Sequence, residues 1–162
     1  MRKIIYLAII ECLKASGVDI RHISLWNDNT AKLEEENGFS LPAVFVEFLP
    51  FKWSQRAQGV KSATMAINLH IVTETLADPA GGSDFQFEAL ETFDVIDSVV
   101  AAVQGLSGEG FNKFQHVETL PDHNHEQVQH DIEGFVCEAT DVSAARRRSQ
   151  VQIKDAVCAG RA

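Results

Sequence analysis

Two apolar runs joined by a polar connection lie near the middle of the chain, from Leu41 to Trp53 and from Ala63 to Glu74. In the second run, every odd-numbered position from Ala63 to Ile71 is apolar, which is the period of a strand with one buried face. The first run is apolar on both parities and predicts a central strand that is covered on both faces. The connection, Ser54 to Ser62, is short, so we expect the two strands to pair antiparallel.

Apolar residues recur with helical spacing near the N-terminus and predict a helix from Lys3 to Ser16, which Gly17 ends. The apolar stripe consists of Ile5, Ala8, Ile9, Cys12 and Leu13. Ile4, Leu7 and Ile10 widen this stripe. We therefore expect the first helix to be well covered by the rest of the fold.

A second amphipathic helix is predicted from Ser83 or Asp84, either of which can cap it, to about Gln104. Its apolar stripe is predicted to comprise Ala89, Phe93, Ile96, Val100 and Val103, with Asp84, Glu88, Glu91 and Ser98 on the solvent side. This helix is expected to lie across the sheet and to bury Phe93 and Ile96 against the strand that carries Ile67 and Leu69.

The remaining patterns complete an α+β plan, in which two helices pack on a mostly antiparallel sheet. Strands are predicted at Val18–Trp26, Phe111–Leu120 and Val128–Thr140, with loops at Asn27–Ser40, Leu76–Ser83 and Pro121–His125. We expect one domain over residues 1–143. Residues 144–162 are expected to form a basic, mobile tail that contains Arg146, Arg147 and Arg148, although residues 151–157 could add a strand.

The chain has 162 residues and a formal net charge of −9, and no basic residue lies between Lys61 and Lys113. An acidic balance argues against a general nucleic-acid-binding surface, because contacts to phosphates need lysine and arginine. The three cysteines are far apart and form no Cys-x-x-Cys pair, which favours a reduced cytoplasmic setting. The N-terminal apolar run is short and is interrupted by Glu11, so we predict neither a signal peptide nor a membrane span.

Motifs for catalysis are absent from the sequence. There is no Gly-x-Ser-x-Gly elbow, and the glycines at 105–110 lack the Lys-Ser/Thr that a phosphate-binding loop needs. Glu88 and Glu91 are expected to face solvent, so we do not interpret them as an acid–base pair. We therefore predict that the chain is not an enzyme and that it takes no cofactor.

His123 and His125, flanked by Asp122 and His130, form the one cluster that could coordinate a metal. Alternate residues on a strand share a face, so both imidazoles could reach one ion. His-x-His alone supplies only two ligands, and we predict no metal site there. His22, His70 and His116 are interpreted as lone strand histidines.

The order of the elements and the sequences of their segments resemble those of the tail-terminator, or tail-completion, proteins of long-tailed bacteriophages and prophages. The segments that carry the resemblance are LPAVFVEF at 41–48, INLHIV at 67–72, ALETFDVID at 89–97, DHNH at 122–125 and FVCEATD at 135–141. The segment HISLWN at 22–27 is similar to segments of prophage tail-region proteins.

The resemblance implies a non-enzymatic protein that forms a ring, usually a hexamer, on the end of the finished tail tube. Its implied partners are other copies of itself, the tail-tube protein and a head-completion protein, with DNA passing through the channel without specific binding. The implied location is the host cytoplasm during assembly and then the virion tail, with no membrane contact. Two other classes stay open: a head–tail connector or general binding module, and a metalloenzyme that uses His123, His125 and a carboxylate.

Overall fold

The computed structural model describes residues 1–27, 38–74, 80–122 and 128–145. Its two helices are α1 (Arg2–Ala15) and α2 (Gln86–Val103). The strands are β1 (His22–Leu25), β2 (Ala43–Phe48), β3 (Ser54–Gln55), β4 (Lys61–Glu74), β5 (Gln115–Asp122) and β6 (Val128–Asp141). A short 3₁₀ turn, Ala57–Gly59, joins β3 to β4.

The strands form one six-stranded sheet in the order β1-β2-β4-β6-β5, with the short β3 added beside β4. β1 pairs parallel with β2, whereas the other pairs are antiparallel. The predicted α+β class and the antiparallel pairing of the central hairpin are therefore confirmed. The two longest strands, β4 and β6, have 14 residues each and pair along their full length.

Both helices cover the same face of the sheet, which we call the helix-covered face. Alternation on β4 brings its odd-numbered apolar residues to this face, as predicted. The buried cluster there includes Ile5, Ile9 and Leu13 of α1, Ile96, Val99 and Val103 of α2, and Val46, Met65, Ile67, Leu69 and Phe135 of the sheet. The Sγ of Cys12 donates to the carbonyl of Ala102 at 3.0 Å and joins the two helices.

The opposite face of the sheet, which we call the second face, carries a smaller apolar cluster. Its buried members are Leu41, Ala43, Phe45, Val72 and Val128, with Trp26 and Phe39 packed against them. Ala43 to Val46 of β2 are all buried, so the prediction that this strand is covered on both faces is confirmed. The predicted run is too long, however, because β2 ends at Phe48, two residues before Pro50.

Helix α2 packs on a face that differs from the predicted one. Phe93 is 50% exposed, so the prediction that it is buried was wrong, whereas Ile96 is buried as expected. The buried stripe is Ile96, Val99 and Val103, with Thr92 half-buried one turn earlier. This stripe is rotated from the predicted one and shares only Ile96 and Val103 with it. Glu91 lies on the exposed side as predicted, whereas the side chain of Glu88 lies outside the described residues.

Helix α1 also leaves apolar residues in solvent. Ile5, Ile9 and Leu13 are buried, but Ile4 and Leu7 are 40% and 45% exposed. The expectation that the wide apolar stripe would be covered was therefore wrong, because only one side of the helix meets the sheet and α2.

Several predicted boundaries also shift in the structure. The connection predicted as a turn at Ser54–Ser62 contains β3, and Phe111–Phe114 precede β5 rather than belonging to it. Pro121 and Asp122 lie inside β5, not in a turn. The predicted loops at 28–37 and 75–79, the centre of the histidine turn at 123–127 and the tail at 146–162 lie outside the described residues. Within the described residues, no helix is long and apolar enough to cross a bilayer.

Candidate functional site

Four polar side chains form a continuous row across the second face, and we call this row the histidine network. The carboxylate of Glu47 lies 3.2 Å from Nε2 of His70, and Nδ1 of His70 lies 3.0 Å from Nε2 of His130. Nδ1 of His130 lies 3.1 Å from Oδ2 of Asp122. Two imidazoles in contact with each other therefore have a carboxylate at each end.

The sheet register brings these residues together. Asp122 on β5 lies directly opposite His130 on β6. His70 lies on the neighbouring strand β4, opposite Phe45 of β2 and Ile132 of β6. Its ring therefore lies between the side chains of Glu47 on β2 and His130 on β6. Directly opposed and diagonal residues on one face of a sheet are close enough for side-chain contact.

The network is held in an apolar and aromatic setting. His70 and His130 are 4% and 2% exposed. The indole ring of Trp26 stacks on His70 with ring centroids 3.7 Å apart and an interplanar angle of 1°. At the first carboxylate, Nδ2 of Asn68 donates to Oε2 of Glu47 at 2.9 Å. Buried polar groups are tolerated when they find partners, and these have them.

The number of protons in the network follows from its contacts. Each of the three contacts along the row needs one proton between its two heavy atoms, and two neutral imidazoles supply only two. Burial lowers the pKa of His70, against the raising effect of its hydrogen bond to Glu47, so His70 favours the neutral form. A fully bonded row therefore carries its third proton on His130 or on one of the carboxyl groups. The network can therefore hold a proton at a buried position in the sheet.

A second polar group lies on the helix-covered face. The buried carboxylate of Glu133 lies 2.6 Å from Nε2 of His116, and Oγ1 of Thr119 donates to the same carboxylate oxygen at 2.7 Å. Close by along β6, Nε2 of Gln129 donates to Oδ2 of Asp131 at 3.0 Å. Glu133 and Asp131 are 2% and 6% exposed, so each buried carboxylate is stabilised by hydrogen bonding.

A surface depression of about 630 Å³ lies near one end of β4. Its lining includes Thr64, Phe111, Lys113, Gln115, Cys137 and Glu138. Burial raises the pKa of the Cys137 thiol to about 11, so it stays protonated at neutral pH and is a poor nucleophile. The side chains of Thr64, Lys113, Gln115 and Glu138 are exposed, and Oγ1 of Thr64 donates to Oε1 of Glu138.

The residues predicted as metal candidates are only partly placed by the structure. His123 and His125 lie outside the described residues, and the prediction that they bind no metal stays a prediction. Asp122 and His130, their predicted flanks, do lie together in the histidine network. Within residues 1–27, 38–74, 80–122 and 128–145, no three His, Cys, Asp or Glu side chains are arranged to hold a metal ion.

The interpretation of His70 and His116 as lone strand histidines was wrong. His70 contacts His130 and Glu47, and His116 contacts Glu133. His22 instead packs among aromatic rings, with its centroid 5.5 Å from those of Phe39 and Phe45. The hairpin between β5 and β6 could have indicated the pairing of Asp122 with His130. Nothing local, however, relates His70 to a residue on β6.

Acidification is expected to destabilise the fold through His70. The pKa of His70 is lowered in the folded state, so below the ordinary value of about 6.5 the unfolded chain binds more protons than the folded one. The resulting stability is present above that pH and is lost as the pH falls through the folded-state pKa. We expect the midpoint of urea unfolding to fall between pH 7 and pH 5.

Histidine-to-glutamine variants test this assignment. His70→Gln should flatten the pH dependence of the unfolding midpoint between pH 7 and pH 5. His22→Gln is the matched control, because it makes the same substitution on the same face of the sheet and leaves the histidine network intact. A slope that flattens only in His70→Gln would assign the effect to the network. An unchanged slope in His70→Gln would show that another group titrates in this range.

Comparison with known proteins gives a structural relation only. No family model matches the chain, and no curated protein matches it. Among solved structures, a chain from the virion of a native gene transfer agent particle has a similar fold, with a TM-score of 0.54 and 11% sequence identity. The match covers 84% of this chain and 94% of the other. At this identity the similarity is one of fold.

Proposed function

We propose that the chain is a structural protein of a tailed virion, where it forms a ring that ends the tail tube and prepares it for joining to the head. The observation that carries the proposal is the fold match, because it spans nearly all of a chain that is itself part of a virion. The sequence resemblance to tail-terminator proteins also indicates a component of a virion. Fold alone does not fix function, so the resemblance supplies the position within the tail.

The arrangement of the sheet suits a ring protomer. Its centre is the long pairing of β4 with β6, which is buried against both helices. Its edges are β1 and β5, and most β5 side chains are exposed. Unpaired strand edges and exposed loops are the regions where a neighbouring subunit can add contacts without disturbing the core.

The charge distribution suits a channel for DNA. The segment from Ser62 to Asn112 contains no lysine or arginine but several carboxylates. If part of this segment faces the channel, it repels the phosphate backbone, so that DNA passes without sticking. The proposed partners are thus other copies of the chain, the tail-tube protein and a head-completion protein.

The decisive experiment combines light scattering with electron microscopy of purified tail tubes. Wild-type protein should self-associate as its concentration rises, and added tubes should carry a ring at one end and none along their sides. The proposal would be contradicted if the chain stays monomeric and the head-proximal ends of the tubes stay uncapped. Binding to head connectors instead of tubes would favour the connector alternative.

A further inference from the structure

The outer side of α2 carries an exposed apolar row beside acidic residues. Phe87, Leu90 and Phe93 are 85%, 38% and 50% exposed. They are spaced three residues apart, which places them next to one another along the helix surface. Asp94 and Asp97 continue the same side of the helix and are exposed. We call these five residues the acidic aromatic surface.

A row of this kind is unusual on a free protein surface. Single exposed apolar residues are ordinary, but contiguous ones with a polar border indicate a contact with another macromolecule. The carboxylates beside the row select a partner surface that is basic as well as apolar. An anionic membrane or nucleic acid does not meet that requirement.

The same chain presents a surface with the required chemistry. Arg2 lies over the ring of Phe51 at 5.9 Å, and Lys61 lies over the ring of Trp53 at 4.8 Å. Lys52 and Arg56 lie in the same segment of the chain and are exposed, and Nε of Arg56 donates to Oγ of Ser62 at 2.9 Å. We define the basic surface as Arg2, Phe51, Lys52, Trp53 and Arg56.

The two surfaces lie at opposite ends of the β4–β6 pairing. The N-terminal half of α2 is fixed near the start of β6, because Oγ1 of Thr92 donates to Oε1 of Gln129 at 3.1 Å. The basic surface is fixed at the other end, where Lys61 pairs with Asp141. There Gly59 lies so close to the carbonyl of Ala144 that a Cβ would overlap it. One molecule therefore cannot bring its own two surfaces into contact.

We infer that the acidic aromatic surface of one protomer binds the basic surface of a second copy of the chain. Each contact uses two different patches, so the association is head-to-tail and closes into a ring if the rotation per subunit allows it. Apolar burial of the phenylalanines and cation–π contacts from arginine and lysine would stabilise the contact. This inference rests on the proposed ring function and specifies which surfaces build the ring.

Charge reversal tests the contact with the full-length chain. The first variant is Asp94→Lys with Asp97→Lys, and the second is Lys52→Glu with Arg56→Glu. Each variant alone places like charges across the contact and should self-associate at least tenfold more weakly than wild type in light scattering. An equimolar mixture restores opposite charges at every contact and should re-form an assembly of alternating protomers.

The apolar part of the contact is tested separately. Phe87→Ser should weaken self-association at least tenfold while leaving the unfolding midpoint unchanged, because the side chain is 85% exposed. Leu7→Ser, at a 45% exposed position on α1 outside both surfaces and away from the sheet edges, is the matched control and should associate like wild type.

The outcomes separate this inference from the proposed function. Reversed variants that assemble and cap tubes like wild type would overturn the contact and leave the ring function intact. Recovery of the first variant by glutamate at Arg146, Arg147 and Arg148, instead of at Lys52 and Arg56, would also overturn it, because the occupant would then be the tail. Assembly through these surfaces without any binding to tubes would support the contact and contradict the tail function. A wild-type chain that neither associates nor caps tube ends would overturn both.

Discussion

Replacing Phe135 by alanine is expected to lower the free energy of unfolding by about 3–5 kcal/mol, as large-to-small aromatic core changes do. Phe135 is fully buried in the middle of β6, opposite Ile67 of β4. Its ring packs edge-on against Phe114 at 6.4 Å and lies 5.1 Å from the ring of His116. Because domains are stable by only about 5–15 kcal/mol, this change should remove a large part of the stability.

The matched control is Phe93→Ala, which removes the same atoms from a half-exposed position on α2. It should cost less than about 1 kcal/mol, as surface substitutions usually do. Urea unfolding followed by circular dichroism measures both variants. Equal losses in the two would mean that α2 packs on the originally predicted face, with Phe93 in the core.

The second large effect is expected at the buried pair of His116 and Glu133. Changing His116 to leucine removes the closest partner of a carboxylate that is 2% exposed. Among the described residues, Thr119 then remains to donate to it. Removing one partner of a buried pair leaves an uncompensated polar group or charge, and we expect a loss of about 3 kcal/mol.

A double variant makes this prediction sharper. His116→Leu together with Glu133→Leu removes both polar partners, so it should be more stable than His116→Leu alone even though it carries one more substitution. Comparison of the unfolding free energies of the two single variants and the double variant gives the coupling between the side chains. Strictly additive losses would show that the 2.6 Å contact contributes nothing to stability.

The sequence predicted the elements whose pattern is long and regular. The alternation on β4 continues for most of its 14 residues, so both its strand character and its buried face followed directly. The position of α2 along the chain was predicted, but its buried face was not, because the predicted apolar stripe was drawn through the large side chain of Phe93. Side-chain size cannot reveal that Thr92 contacts Gln129 and that Val99 is buried, since both depend on where β6 lies.

The polar networks could not be read from the sequence for a similar reason. Asp122 and His130 are close along the chain, but His70 joins them only through the pairing of β4 with β6. That register depends on packing across the whole sheet, so the sequence around a histidine on a half-polar strand does not indicate which residue it contacts. The resemblance suggested a kind of assembly, and it did not indicate that buried titratable groups lie inside the fold.

The pairing of β4 with β6 also sets the order in which a nascent chain can fold. Lys61 pairs with Asp141 and Glu74 pairs with Val128, so the middle of the sheet joins segments that leave the ribosome far apart in time. Until β6 emerges, β4 exposes one unpaired edge and the apolar side chains of Met65, Ile67 and Leu69. Such non-local pairing folds slowly, and an exposed apolar edge is prone to aggregate. Release of the chain before β6 emerges should therefore yield insoluble protein rather than a smaller domain.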